Sequence, residues 1–336
     1  MKKVIFYFSG ILICGALVFT SCKKKDTTPD DTSTQQQNAD DDARVQTESN
    51  SAADDANAAL SGDGNISGRL SALTATAKRH KLLDLVAGAD SVVIDSTNTP
   101  PTVTIYYDGI SVVNGRTRSG YISIQLTTGT QWKDTGAVIT LTFNNFVSTK
   151  GGKTLAITGA KTITNLTGGL VSKLGSSGYG FTTISHQIQT TGSGLTITFD
   201  NGKTANWNTN RTRSITYVGT TAILSIPVRE YRYTLTGNNT TQVSGSNVAW
   251  WGTNRNGESF SDIIVSPVVY DESIDWLGPI SGQVEIAGIA KTLTITFGVN
   301  ASGVQLTNPS ATNLPYGYEL NWTNLAGHAT SATIAY

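Results

Sequence analysis

The sequence predicts an all-β protein, built either from antiparallel β-sandwich-like modules or from one elongated antiparallel sheet. Beyond about Ser91, apolar residues recur at every second position, the mark of strands with one buried face. Short connections rich in Gly and Asn separate these runs. Stretches long enough for crossover helices are scarce, which argues against a parallel α/β sheet. Composition agrees: 14% of the 336 residues are charged, against roughly 25% in an average soluble domain.

The first residues differ in character. Lys2 and Lys3 precede an apolar run from Val4 to Phe19, the layout of a secretory signal peptide over residues 1–21. The run is shorter than the roughly 20 apolar residues of a spanning helix. Its end, Phe19-Thr20-Ser21-Cys22, resembles the lipobox of bacterial lipoproteins, and the resemblance implies a diacylglyceryl thioether on Cys22. Two or more acyl chains hold a protein stably on a bilayer where one does not. The other cysteine, Cys14, leaves with the signal peptide, so the mature chain has no disulfide framework and no thiolate metal site.

From Lys23 to about Asn50 the residues are mostly Lys, Asp, Thr, Ser and Gln. Such a segment buries too little apolar surface to offset its ordering entropy and is predicted to be a flexible tether. Asp41 to Leu60 is Ala-rich and compatible with a short helix, with Ala43, Val45, Ala52, Ala53, Ala56 and Leu60 along one face. Residues 22–60 thus form a lipidated tether with a possible short helix at its end, and residues 61–100 a lead-in. Asp63, Asn65 and Ser67 alternate like the start of a calcium loop, but no Glu stands at the twelfth position, so a polar turn is the reading.

The strand rhythm runs through Val103, Ile105 and Tyr107; Ile122, Ile124 and Leu126; Ile139, Leu141 and Phe143; Leu195, Ile197 and Phe199; Leu224, Ile226 and Val228; Tyr231, Tyr233 and Leu235; Leu293, Ile295 and Phe297; and Tyr318, Leu320 and Trp322. Their neighbours are mostly Thr, Ser, Asn or Arg, so one sheet face is apolar and the other polar. An internal repeat divides the strands. Thr104–Gly109 followed by Gly115–Gly120 recurs as Thr196–Gly202 followed by Asn210–Ile215, and Arg116-Thr117-Arg118-Ser119 equals Arg211-Thr212-Arg213-Ser214. We read two β modules, residues 101–193 and 194–336. Arginines at alternate positions share a strand face, where they either bind a carboxylate or sulfate or pair with Asp108 and Asp200 on a solvated face.

Several strings together carry a resemblance: the lipobox and charged tether, Tyr107-Asp108-Gly109, GRTRSG, LTFNNF (Leu141 to Phe146), Asp200-Asn201-Gly202 and PISG (Pro279 to Gly282). From Thr102 to the C-terminus the chain resembles an uncharacterised group of Bacteroidota-type envelope lipoproteins. The resemblance implies an outer-membrane lipoprotein, facing the periplasm or the cell surface, with β architecture. It brings no catalytic residues.

Chemistry-bearing motifs are sparse. Basic and acidic residues balance at 24 each, which disfavours a nucleic-acid partner. His80, His186 and His328 sit in unrelated contexts, with no metal-ligand or nucleophile–base spacing, and no cofactor is called for. Asp271, Glu272 and Asp275 form the acidic cluster of the β region, a candidate carboxylate pair for a glycan-active hydrolase but more simply a solvated loop. Trp250 and Trp251 are adjacent, and strand neighbours face opposite ways, so at least one leaves the core unless another element covers it. With Trp276 they form the candidate ligand-binding set, since aromatic faces stack on sugars. The functional expectation is a lipid-anchored envelope protein that binds glycan or protein and is no enzyme; the alternative is a purely structural envelope lipoprotein.

Overall fold

The computed structural model describes residues 31–61, 86, 88–95, 100–112, 115–223, 226–238, 240, 242, 243, 245–274, 278–288, 293–323 and 328–336. They hold one α-helix, α1 (Asp31–Ser61), and strands β1 (Ser91–Asp95), β2 (Thr102–Asp108), β3 (Arg116–Thr128), β4 (Val138–Lys150), β5 (Lys153–Asn165), β6 (Thr183–Thr190), β7 (Leu195–Phe199), β8 (Thr204–Ile223), β9 (Ile226–Gly237), β10 (Val248–Thr253), β11 (Ser259–Asp271), β12 (Ser281–Ala287), β13 (Leu293–Val299), β14 (Gly317–Thr323) and β15 (Ala329–Ala335).

All strands join in one antiparallel sheet that follows chain order, with β1 and β15 as its ends. The middle is a seam of short strands placed end to end. β6 and β7 together span the gap between β5 and β8, and β9 and β10 together span that between β8 and β11. Turn chemistry suits the tight connections: Gly151 and Gly152, between β4 and β5, both take positive φ, which costs glycine little. At a bulge in the β3–β4 pair, Gly120 lies so close to Asn145 that a Cβ would sit 2.1 Å from its carbonyl oxygen, so only glycine fits.

The predicted alternation is present. Val103, Ile105, Ile122, Ile124, Ile139, Leu141, Leu195 and Ile197 are all buried in one continuous core that reaches Leu320 and Trp322. The opposite face carries polar cross-strand pairs such as Thr183 with Thr216 and Ser185 with Ser214. Leu224 lies outside the described residues, as do the side chains of Ile226 and Val228.

A sheet with one apolar face needs a second layer, and here α1 supplies it in place of a facing sheet. The sheet wraps the helix: successive residues Glu48, Ser49, Asn50 and Ser51, spaced about 100° apart around a helix, bond respectively to β4, β5, β8 and β3. No residue from Glu48 to Leu60 is exposed. Ala52, Ala53, Ala56 and Ala59 are buried, small enough to let strands approach the helix closely.

This corrects the tether expectation. The stretch up to Asn50 is helical from Asp31, and from Asn38 on its inward side belongs to the core rather than to a flexible arm, because Asn38, Asp41 and Glu48 find partners on the sheet and its turns. Val45, Ala52, Ala53, Ala56 and Leu60 are buried as predicted, while Ala43 is exposed. Nor do residues 193 and 194 separate two sheets, since β7 pairs with β5 across that boundary. Cys22, the residues before Asp31 and the Asp63–Ser67 turn lie outside the described residues.

Helix and sheet share a polarity. α1 enters at the end bearing the β4–β5 and β10–β11 turns, where Asp41 pairs with Arg255 and Arg44 donates to the Lys153 carbonyl. It finishes beside Trp132 in the β3–β4 loop, whose Nε1 donates to Asn57 Oδ1 at 3.1 Å. At that far end the β5–β6 loop packs Leu174 on Ile184 and Ile215.

Candidate functional site

The inner sheet face is cationic. Arg116 and Arg118 (β3), Lys161 (β5), Arg211 and Arg213 (β8), and Arg255 in the β10–β11 turn are all buried. Alternation on β3 and β8 turns both arginines of each Arg-Thr-Arg-Ser segment inward. Aromatic rings back these charges: Arg118 lies over Tyr107, Lys161 over Phe143, Arg211 over Trp250, Arg213 over Tyr233 and Arg255 over Phe199. Such contacts strengthen when desolvated.

Carboxylates of α1 answer them. Arg118 Nη1 reaches Asp55 Oδ2 at 2.5 Å, and the Tyr107 hydroxyl donates to the same oxygen at 2.6 Å. Arg213 grips Asp54 with two bonds, at 2.5 and 3.1 Å. Arg116 pairs with Glu48 at 3.4 Å, and Arg255 with Asp41. Lys161 and Arg211 have no carboxylate bond; they donate to Ser49 and to Asn50 Oδ1. Burial, reinforced by Arg211, pushes the Lys161 ammonium well below its usual pKa. Burial likewise lowers Arg211 to about 10, with Arg213 adding to the fall.

A second constellation lies along the same seam. Asp42 of α1 faces Asp262 of β11, and burial followed by mutual repulsion raises Asp262 far above the carboxylate range. Asp42 rises to about 7, again mainly through burial. Asp262 is fully buried, and among the described residues its side chain meets no donor other than the Asp42 carboxyl. Two carboxyls in contact cannot both ionise there, so the pair holds a proton at neutral pH. Beside them is a small pocket of about 30 Å³, the size of a water, lined by Asn38, Asp41, Trp207 and Phe260 among others.

At the helix-entry end a groove of about 700 Å³ runs along the exposed side of α1. Asp40, Arg44 and Thr47 form one wall; Arg116, Ser148, Lys150 and Lys153 another; Asp200, Asn201 and Arg255 complete it. This volume falls within the range of small-ligand sites.

Several of the residues singled out from sequence are placed by the structure. Trp250 and Trp251 are both buried, so they form no exposed aromatic surface. Trp250 lies under Arg211 and beside Trp207, while Trp251 is covered by the segment that brings Gln242 to its Nε1 at 3.1 Å. Trp276 and Asp275 lie outside the described residues. Asp271 is fully buried and bonded to Arg232 and Ser273. Glu272 accepts from the Tyr231 amide and the Tyr233 hydroxyl, so this acidic pair staples β9 to β11. Three of the four Arg-Thr-Arg-Ser arginines, Arg116, Arg118 and Arg213, do bind carboxylates, but those of α1, and Arg211 bonds to Asn50 of the same helix; Asp108 instead caps its own turn. His186 is buried against Trp132, and burial drops its pKa to about 3. His328 is exposed and His80 lies outside the described residues. Among the described residues no three His, Cys, Asp or Glu side chains gather as metal ligands. The helix acids escaped the sequence reading, although 40–55 is the one acid-rich stretch able to match so many inward cations.

Fold and site together define a class: a single antiparallel sheet wrapped around an acid-rich helix, with a polar groove where the helix enters. Comparison with family models, curated proteins and solved structures gave no match.

Proposed function

We propose that the chain is an outer-membrane lipoprotein of the cell envelope, held by a lipid on Cys22, whose body is a binding module for glycan or protein. The observation that carries the binding role is the groove of about 700 Å³ at the helix-entry end. Its walls come from α1 and several turns of one rigid sheet, the arrangement in which loops on a scaffold carry function. Its lining is polar and charged, which favours an acidic or basic peptide or a charged glycan over a sugar stacked on tryptophan.

The test uses the chain from Lys23, screened against charged glycans and peptides, beside a Lys150→Glu/Asp200→Lys variant. A ligand bound by the parent and lost in the variant supports the groove. Folded protein that binds no ligand overturns the reading in favour of the structural alternative, which has its own support: Asp41 with Arg255 and Glu48 with Arg116 already neutralise part of the lining. The anchor is tested apart, by the mass of Cys22-containing peptides from the envelope fraction and by release of a Cys22→Ser chain.

A further inference from the structure

We infer that the helix-entry end of the sheet is a membrane-contacting face, seated on the bilayer through Ile110 and Val112. The inference rests on the reading of Cys22 as the lipidated residue and goes beyond it, since an anchor alone leaves the body free to hang in any orientation.

Strand direction fixes what lies at this end. α1 runs from the β4–β5 and β10–β11 turns toward the β3–β4 loop. The β2–β3 connection belongs to the entry end too, because Arg116, where β3 begins, pairs with Lys150, where β4 ends. The β7–β8 turn lines the groove at this same end through Asp200 and Asn201, so a seated body turns the groove toward the headgroups and its ligand enters from the side, along the exposed residues of α1.

The length of chain outside the structure then selects the occupant. Cys22 precedes Asp31, the first helical residue, by nine positions. Nine residues span at most about 30 Å, comparable to the thickness of a hydrocarbon core. The helix start is therefore confined near the lipid, and α1 first meets a turn at Asn38, which accepts from Asn254, seven residues or about 10 Å further along the helix, so the entry-end turns lie nearer the surface than the far-end loops.

Ile110 and Val112, in the β2–β3 connection, are 78% and 67% exposed, the highest values among the large apolar residues described. Apolar side chains presented next to an anchor are suited to the headgroup boundary, where burial of apolar area drives binding. The charged residues in the neighbouring turns balance, Lys150, Lys153 and Lys203 against Asp108, Asp200 and Glu258. The contact is thus apolar and has no need of anionic lipid.

The experiment uses the chain from Cys22 to Tyr336, in which Cys22 is the sole thiol, coupled to a maleimide lipid in phosphatidylcholine vesicles. Amide hydrogen exchange is compared with that of the uncoupled chain. The expected result is exchange slowed several-fold at 109–112 and in the flanking turns, unchanged at 129–136, 166–182 and 300–316, and restored by Ile110→Asp/Val112→Asp. Slowing at the far end, no slowing at all, or slowing that requires phosphatidylglycerol would each overturn the proposal. Because the lipid is supplied chemically, a failure of Cys22 lipidation in cells would sink the anchor without altering this result.

Discussion

The two Arg-Thr-Arg-Ser segments, in β3 and in β8, are identical in sequence and both turn their arginines onto α1, yet they meet different partners. In β3, Arg118 and Asp55 are buried together, with the Tyr107 hydroxyl on the same carboxylate oxygen. In β8, Arg213 is buried, but the side chain of Asp54 is 46% exposed. Arg116 has Glu48, whereas Arg211, fully buried, has an asparagine oxygen and leaves Nε and Nη1 without partners. The sheet carries the repeat and the helix does not, so identical sheet segments are finished by whichever helix residue faces them. The strength of each contact is then decided by how far its helix partner is withdrawn from water.

Removing one partner of a buried ion pair leaves the other uncompensated, which costs about 3–5 kcal/mol. Asp55→Ala strands both Arg118 and Tyr107 and should produce a loss of that size in denaturant unfolding. A loss under about 1 kcal/mol, the level of an exposed pair, would show that the two copies are equivalent and end the contrast.

The Asp42–Asp262 pair puts a pH dependence on the same helix–sheet seam. Both carboxyls are raised, Asp42 to about 7, so the folded state keeps a proton that the unfolded chain releases near pH 4. Stability from this pair falls as pH rises above about 4, through about 7 for Asp42 and beyond it for Asp262, by up to roughly 1.4 kcal/mol per pH unit for each proton. Lys161, lowered by burial, acts in the opposite sense: its stability term grows as pH rises toward the ordinary lysine range. The informative measurement is the difference between parent and Asp262→Asn. The variant should gain on the parent between about pH 5 and pH 8, and parallel profiles would show that the pair holds no proton.

Arg211 offers a smaller effect of opposite sign. It is desolvated without a carboxylate bond, and replacing a buried charge by an apolar side chain of similar volume is often neutral or stabilising. Arg211→Met is expected to change stability by about 1 kcal/mol or less, in the stabilising direction. It should also lift Asp42 further, because Arg211 lowers the pKa of that carboxyl. A large destabilisation on urea titration would mean that Arg211 holds the seam as firmly as Arg118 does.

How much of this was legible follows from where the signals reside. Period two marks a strand when one face meets an apolar core, and it placed Ile122, Leu141 and Ile197 correctly. The helix was half legible: Ala52, Ala56 and Leu60 form an apolar trace, but ahead of them the buried contacts are made by Asp41, Glu48, Ser49 and Asn50. A helix seated in a charged channel has no apolar stripe, and its first half therefore reads as a solvated tether. The alternation of Arg116 with Arg118 was visible, but the face they shared was not, because buried arginine violates the pattern that assigns faces. Trp250 and Trp251 do point opposite ways as neighbours in a strand must, and what covers them, α1 on one side and the Gln242 segment on the other, lies elsewhere in the chain.

The weakest contrast is also the cleanest control. Arg213 holds Asp54 bidentately, a geometry that in isolation suggests a strong pair. Arg213 is itself buried and loses its carboxylate when Asp54 goes, but water reaches the half-exposed Asp54 position, and Arg213 keeps its contact with the Tyr233 ring at 4.2 Å. Asp54→Ala should therefore cost less than Asp55→Ala, between about 1 kcal/mol for an exposed pair and about 3 kcal/mol for a buried one, and that cost should shrink in high salt, where exposed charges are screened. Asp55→Ala, by comparison, should be nearly independent of salt. If both losses respond equally to salt, burial of the helix carboxylate is not what separates the two copies, and the explanation would have to move to the arginines themselves.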